Sequence, residues 1–210
     1  MSKLLLTPIL LFFALNAAPQ AHEGSTRYDG KDRADIVILI PYPSNVVEDA
    51  INEKLSREGF KGSTTRGWTI FRNMQIKSIG DQALDLYIKV DRKSRQEKDV
   101  SEVLVMVSLG YSNFVESGNS ILRNAGEYIA GVEPAAAAKY LELNINSQEE
   151  ILKKSQKKLE DLVSDSLDLE KKKKKLEDNL AENSRKQGQQ RDDITKQQGI
   201  LEQLRGRRKN

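Results

Sequence analysis

Residues 147–204 read SQEEILKKSQKKLEDLVSDSLDLEKKKKKLEDNLAENSRKQGQQRDDITKQQGILEQL, and the spacing of their leucines and isoleucines decides the architecture of this end of the chain. With Leu152 at position a of a heptad, the a positions are Leu152, Leu159, Ser166, Lys173, Leu180, Gln187, Ile194, Leu201 and Arg208. The d positions are Ser155, Leu162, Leu169, Leu176, Asn183, Gln190, Gln197 and Leu204. Nine of these seventeen are Leu or Ile, whereas the other five heptad positions hold only Ile151, Val163, Leu167 and Ile200 from the Leu, Ile and Val set. One frame runs through the whole stretch without a stutter. A strict seven-residue repeat keeps one stripe facing a partner helix only if the pair winds into a left-handed supercoil, so a coiled coil is expected here. At 1.5 Å per residue it is a rod on the order of 90 Å long.

The seam is uneven. Lys173, Asn183, Gln187, Gln190 and Gln197 occupy it, and Gly188 and Gly199 each cost the helix about 1 kcal/mol against Ala. A strong seam is therefore expected from 159 to 180 and a looser one beyond. A helical hairpin turning near Asn183–Gly188 is the competing geometry, but the frame preserved from Leu180 to Ile194 favours a rod, since a turn need not keep register. In a parallel pair Lys172 faces Glu177, while Asp165 meets Glu170 and Lys186 meets Arg191, so charge leaves direction and oligomer number open. Ser147 with Glu150 three places on has the form of a capping box and marks the expected helix start.

Upstream the composition changes. Residues 146–210 contain no Phe, Tyr, Trp, Pro or Cys, and nearly all the aromatics lie before 146. A chain that is 38% apolar and 31% charged over 210 residues is lean in core formers, and this division explains why. Ile36-Val-Ile-Leu-Ile40 is an unbroken, mostly β-branched run that suits a strand covered on both faces. Pro41 and Pro43 end it; Ser44 is placed to cap a helix with Val47, Ala50, Ile51 and Leu55 on one side, and Gly59 and Phe60 to close it. Thr64–Phe71 reads as a strand interrupted by Gly67. Leu84, Leu86, Ile88 and Val90 alternate with Asp85, Tyr87, Lys89 and Asp91, the period of a strand with one face in water. Arg92–Asp99 reads as a connection, Val103–Leu109 as a further strand, and Ile121, Leu122, Ala125, Tyr128, Ile129 and Val132 as one face of a second helix. Segment 135–146 is ambiguous between helix and edge strand, with helix slightly favoured. The expected class is α+β: a small antiparallel-sheet and helix sandwich over 35–145, followed by a long C-terminal α-helical coiled coil over 146–210.

Lys3, the apolar run Leu4–Leu15 and the small residues Ala17, Ala18 and Ala21 have the order of a secretory signal peptide. Residues 1–21 are expected to be that signal, cut between Ala18 and Ala21, with 22–34 as a polar leader. The apolar core is too short to span hydrocarbon, which takes about 20 residues, and no later segment reaches that length. Export to the periplasm or the extracellular space is expected.

Several chemistries lack their residues. With no cysteine there is no disulfide, thiolate metal site, thiol nucleophile or lipid-bearing cysteine. The one histidine, His22, lies beside the expected cleavage site, so no histidine triad or histidine metal site can be assembled. Asp32 with Asp35, or Asp91 with Asp99, are the available carboxylate pairs, and solvated loops account for them. Gly59 and Gly62 read as a helix end and not as a phosphate loop. Trp68 and Phe71 could sit in a ligand groove, but an ordinary sheet core is the better explanation of them. Lys171–Lys175 wraps round a helix and so makes no single anion-binding face. Arg205, Arg207, Arg208 and Lys209 suit contact with an anionic surface. Net charge is −2 over 22–133 and +4 over 134–210, but the tail has no aromatic residue to stack bases, so nucleic acid is not an expected partner.

In composition the Cys-free, lysine-rich tail resembles the periplasmic Skp-type chaperones, which hold unfolded outer-membrane clients between helical arms, although here an α/β region precedes the coil. The expectation from the whole sequence is an exported non-enzymatic structural or adaptor protein of the cell envelope. It is expected to oligomerise through Leu152, Leu159, Leu162, Leus 169 and 176, Leu180, Ile194, Leu201 and Leu204, with another copy or a helical partner protein. A holdase-like chaperone is the alternative, and no cofactor or metal is expected.

Overall fold

A computed structural model describes residues 20–110 and 112–207. The expected signal peptide lies outside the described residues except for Gln20 and Ala21. In chain order the elements are β1 (Gln20–Tyr28), β2 (Lys31–Ile40), α1 (Ser44–Arg57), β3 (Gly62–Thr65), β4 (Trp68–Met74), β5 (Leu84–Arg92), β6 (Ser101–Ser108), α2 (Ser120–Ala130) and α3 (Glu133–Arg207). The chain divides into two units, one ending at Ile145 and one starting at Asn146, as the change in composition anticipates.

The first unit is an α+β sandwich on one antiparallel sheet of order β1-β2-β6-β5-β4-β3. Strand alternation sends Ile36, Ile38 and Ile40, Leu84, Leu86 and Ile88, and Val103, Val105 and Val107 to the same face, where they share a core with Val47, Ile51 and Leu55 of α1 and Leu122, Ala125 and Ile129 of α2. At about 25 cal/mol per Å² of apolar surface removed from water, this layer dominates the stability of the domain. Helix α2 comes close to β2 because residue 126 has no side chain: a Cβ there would lie 2.6 Å from Ile36 Cγ2. The Ile36–Ile40 strand is central, and its other face, Val37 and Leu39, is half-buried.

Residues 22–34 are not a leader. They form most of a hairpin, β1 with β2, paired from Gln20–Leu39 to Tyr28–Lys31, so the domain includes these residues and does not start at 35. Polar side chains hid these strands, since backbone pairing at a sheet edge does not require apolar residues. Asp29-Gly30 is the turn, with φ of 49° and 77°. Positive φ at both central residues is the requirement of a two-residue turn whose twist matches its strands. Gly67 likewise interrupts nothing: Arg66 (φ 53°) and Gly67 (φ 80°) are the turn between β3 and β4.

Helix ends differ in part from expectation. Pro43 and not Ser44 is the N-cap of α1, and no side chain caps it; the Pro43 carbonyl accepts from Val46 N at 2.9 Å and Val47 N at 3.1 Å. The other end closes as expected, with Gly59 at φ 89° and Phe60 N donating to the Leu55 carbonyl at 2.9 Å. Ser147 starts no helix. It lies inside α3, which begins at Glu133, where backbone N–H groups already bond one turn back and leave a cap nothing to satisfy. Segment 135–146 is accordingly helical, and its first part packs on the domain. Ala136 is buried, Lys139 Nζ lies 3.4 Å from Glu53 Oε2, and the Tyr42 and Tyr140 rings are 5.7 Å apart.

Candidate association surface

The second unit carries its apolar residues on the outside. Helix α3 has no break at Asn183–Gly188, so the hairpin geometry does not occur. All nine Leu and Ile seam residues are exposed, from 46% at Leu201 to 73% at Leu180. Ile151, Val163, Leu167 and Ile200 beside them are exposed as well. Local ion pairs along the helix include Lys186–Glu182 at 2.8 Å and Lys154–Glu150 at 3.8 Å. Such exposed pairs contribute about 0.3–0.5 kcal/mol each, so they cannot compensate a row of leucines left in water.

The polar seam positions have their own order. Gln187 Nε2 donates to Asn183 Oδ1 at 2.7 Å, joining neighbouring d and a positions on one face. Lys173 Nζ leans out of the seam to Glu177 Oε1 at 3.8 Å, and Lys171 lies 3.4 Å from Asp168. The lysine run is thus spread round the axis and partly neutralised by its own helix. Arg205 and Arg207 are exposed in the last turn, while Arg208 and Lys209 lie outside the described residues.

The sheet face opposite the helices carries a second cluster that sequence reasoning did not assemble. Trp68, Ile70, Tyr87 and Met106 are buried there, with Tyr28, Leu104 and Phe114 against them. Tyr28 meets Trp68 edge-on at 5.8 Å and Tyr87 at 5.4 Å, and the Arg33 guanidinium stands 4.6 Å over the Phe114 ring. Three strands separate β1 from β4 in the sheet, so these contacts require it to curl until its outer hairpin tips meet, where Arg66 Nη1 lies 3.0 Å from Asp29 Oδ1. Phe71 is on the other face, in the helix-side core, so Trp68 and Phe71 do not line one groove. The Asp-Gly and Arg-Gly turns signal the two hairpins but not their meeting.

Asp35 sits at the margin of that face with no accessible surface and no hydrogen-bond partner for either carboxylate oxygen. Burial raises its pKa, an effect the Thr26 hydroxyl and His22 only offset. It stands opposite Gly24, where a Cβ would come within 2.7 Å of its Oδ1. Asp32 is exposed and three residues away along the strand, hence on the other face, so the two do not form a catalytic pair. Asp91 pairs with Lys89 at 2.7 Å.

Between α1 and α2, Lys54 Nζ donates to the Tyr128 carbonyl at 2.9 Å and lies 3.9 Å from its ring centre, while the Tyr128 hydroxyl donates to Glu58 Oε2 at 2.6 Å. Burial and the Glu58 carboxylate push the Tyr128 pKa well up, and burial lowers that of Lys54. This is a latch between helices in which the phenol keeps its proton. Elsewhere, between α1 and the strands β4 and β5, a cleft of about 270 Å³ is floored by Ile51, Ile88 and Val90 and rimmed by Glu48, Asn52 and Asp91, without a nucleophile and base in contact. Among the described residues no group of three or more His, Asp or Glu is arranged to hold a metal, and no helix is long and apolar enough to cross a membrane.

Comparison of the chain with protein-family models, with curated proteins and with solved structures returned no match.

Proposed function

We propose that this is an exported, non-enzymatic structural or adaptor protein of the cell envelope, which assembles through the helix from Asn146 onward and presents its α+β domain to another component. The supporting observation is the unbroken heptad stripe of exposed Leu and Ile on an otherwise charged helix. Such a surface is of use only when covered. The N-terminal basic, apolar and small-residue sequence supports export, and the lack of convergent catalytic groups among the described residues supports a binding role.

Sedimentation of the processed full-length protein tests assembly, and Leu162→Asp with Leu176→Asp tests its surface. These leucines are 56% and 67% exposed, so covering them in a dimer is worth about 1–2 kcal/mol each, and losing four weakens association by at least roughly 1,000-fold. A double variant that assembles and stays helical like the parent would falsify the seam. Cross-linking in the native envelope then tests the adaptor role, with one specific partner expected.

The holdase reading draws on the apolar residues outside the seam, Ile151, Val163, Leu167 and Ile200, which a two-helix pairing leaves partly uncovered. It predicts suppression of client aggregation at stoichiometric ratio. No suppression, together with a single cross-linked partner, favours the adaptor.

A further inference from the structure

We infer that the occupant of the seam is a second copy of this chain, aligned parallel and in register, with the amide block Asn183–Gln197 setting that alignment. The inference rests on the assembly reading above and specifies its geometry. In a parallel pair a faces a and d faces d, so nine Leu or Ile layers form, and Asn183, Gln187, Gln190 and Gln197 each meet their own copy. Shifting one chain by a heptad leaves four apolar layers. In an antiparallel pair a faces d, and no alignment makes more than six apolar layers. The alignment that joins Leu159 to Leu204, Leu162 to Leu201 and Leu169 to Ile194 sets Leu176 against Gln187 and Leu180 against Asn183.

The structure adds two facts. Helix α3 continues through Gly188, so the amide block stays in line with the leucines on both sides of it. The block is also already hydrogen-bonded along the face, Gln187 to Asn183 at 2.7 Å, so amides from two copies can bond across the seam without leaving an unpaired group. A polar residue in a seam costs stability but specifies register, because any slip sets it against leucine. The parallel alignment brings Lys173 to Lys173, yet this ammonium is drawn toward Glu177 and out of the seam. Its flanking repulsions, Asp165 with Glu170 and Lys186 with Arg191, are exposed pairs. Each counts for less than one buried leucine, so apolar layers decide the direction.

The chain has no cysteine, so a single substitution introduces its only thiol. Leu162→Cys and Leu204→Cys, each alone in the full chain under mild oxidation, are expected to yield mostly disulfide-linked dimer, since d residues meet their own copies. A mixture of Leu162→Cys and Leu201→Cys chains is expected to give no hetero-linked product. The reverse pattern in a protein that sediments as a dimer overturns the parallel alignment and leaves assembly standing; a wild-type monomer overturns both. Asn183→Leu with Gln187→Leu is expected to raise the slipped disulfide between Leu162→Cys and Leu169→Cys chains at least tenfold. An unchanged yield removes the amides from any role in register.

Discussion

Replacing Asp35 by Asn should stabilise the α+β domain at neutral pH. Both oxygens of Asp35 lie out of water, with the nearby Thr26 hydroxyl offsetting only part of the cost of burial, on a strand pair where Gly24 leaves them room. Burial favours the protonated acid, so the folded pKa is raised above the unfolded one. A group shifted in this direction contributes fully below the unfolded pKa, near 3.9, and that contribution is lost as pH rises through the folded pKa. At pH 7 the carboxylate therefore opposes folding, and an amide of the same shape does not carry the charge. An amide in the same place is still a buried polar group, so only the extra cost of burying the charge is recovered, and Asp35→Asn should gain about 1 kcal/mol at pH 7. That corresponds to a Tm rise of roughly 4 °C per kcal/mol. The signal of the one tryptophan, Trp68, buried in the sheet's second cluster, follows this domain without interference from the tail helix. Melts at pH 7 and pH 4 should show a gain that shrinks toward zero at the lower value. A variant that melts below the parent at pH 7, or a gain equal at both pH values, would refute the reasoning, because Asp35 would then be an ionised group with a compensating partner.

Two further substitutions probe packing and backbone. Gly126→Ala places a methyl 2.6 Å from Ile36 Cγ2 and should cost about 1–3 kcal/mol by urea denaturation followed at Trp68, despite the better helix propensity of Ala; an unchanged midpoint would mean that α2 can shift away from β2. Gly188→Ala and Gly199→Ala meet no neighbouring atom within 4 Å and sit in a helix interior, so together they should stabilise the tail by about 2 kcal/mol. Helicity at 222 nm against temperature reads this, and a loss of helicity would show that the glycines serve a bend the helix needs.

What was legible in the sequence follows the strength of each periodic signal. Leu84–Val90 was readable as a strand because burial of one face leaves a two-residue period, Ile36–Ile40 because it is an unbroken, mostly β-branched run, and the 121–132 helix because its buried stripe recurs every three to four residues. β1 was not readable by that rule. Glu23, Ser25 and Arg27 alternate with residues that meet a half-buried face only after the sheet has curled, so apolar periodicity is weak in both directions. Its turn was legible in Asp29-Gly30, a signal of backbone conformation and not of hydrophobicity. The capping-box reading at Ser147 failed for a related reason: a cap motif has meaning only where the chain has no preceding turn of helix, and the helical run from Glu133 supplies one. The heptad stripe lay open to reading, since it is a property of one helix and needs no knowledge of what surrounds it.

By itself, then, the order of residues determined the class, the division near residue 145 and the exposed heptad stripe of the tail helix, because each depends on interactions within a few turns or a single strand. The curl of the sheet, the meeting of Tyr28 with Trp68 and the burial of Asp35 were decided by tertiary structure alone. These join residues tens of positions apart, and whether a side chain keeps its water depends on which strand finally lies beside it.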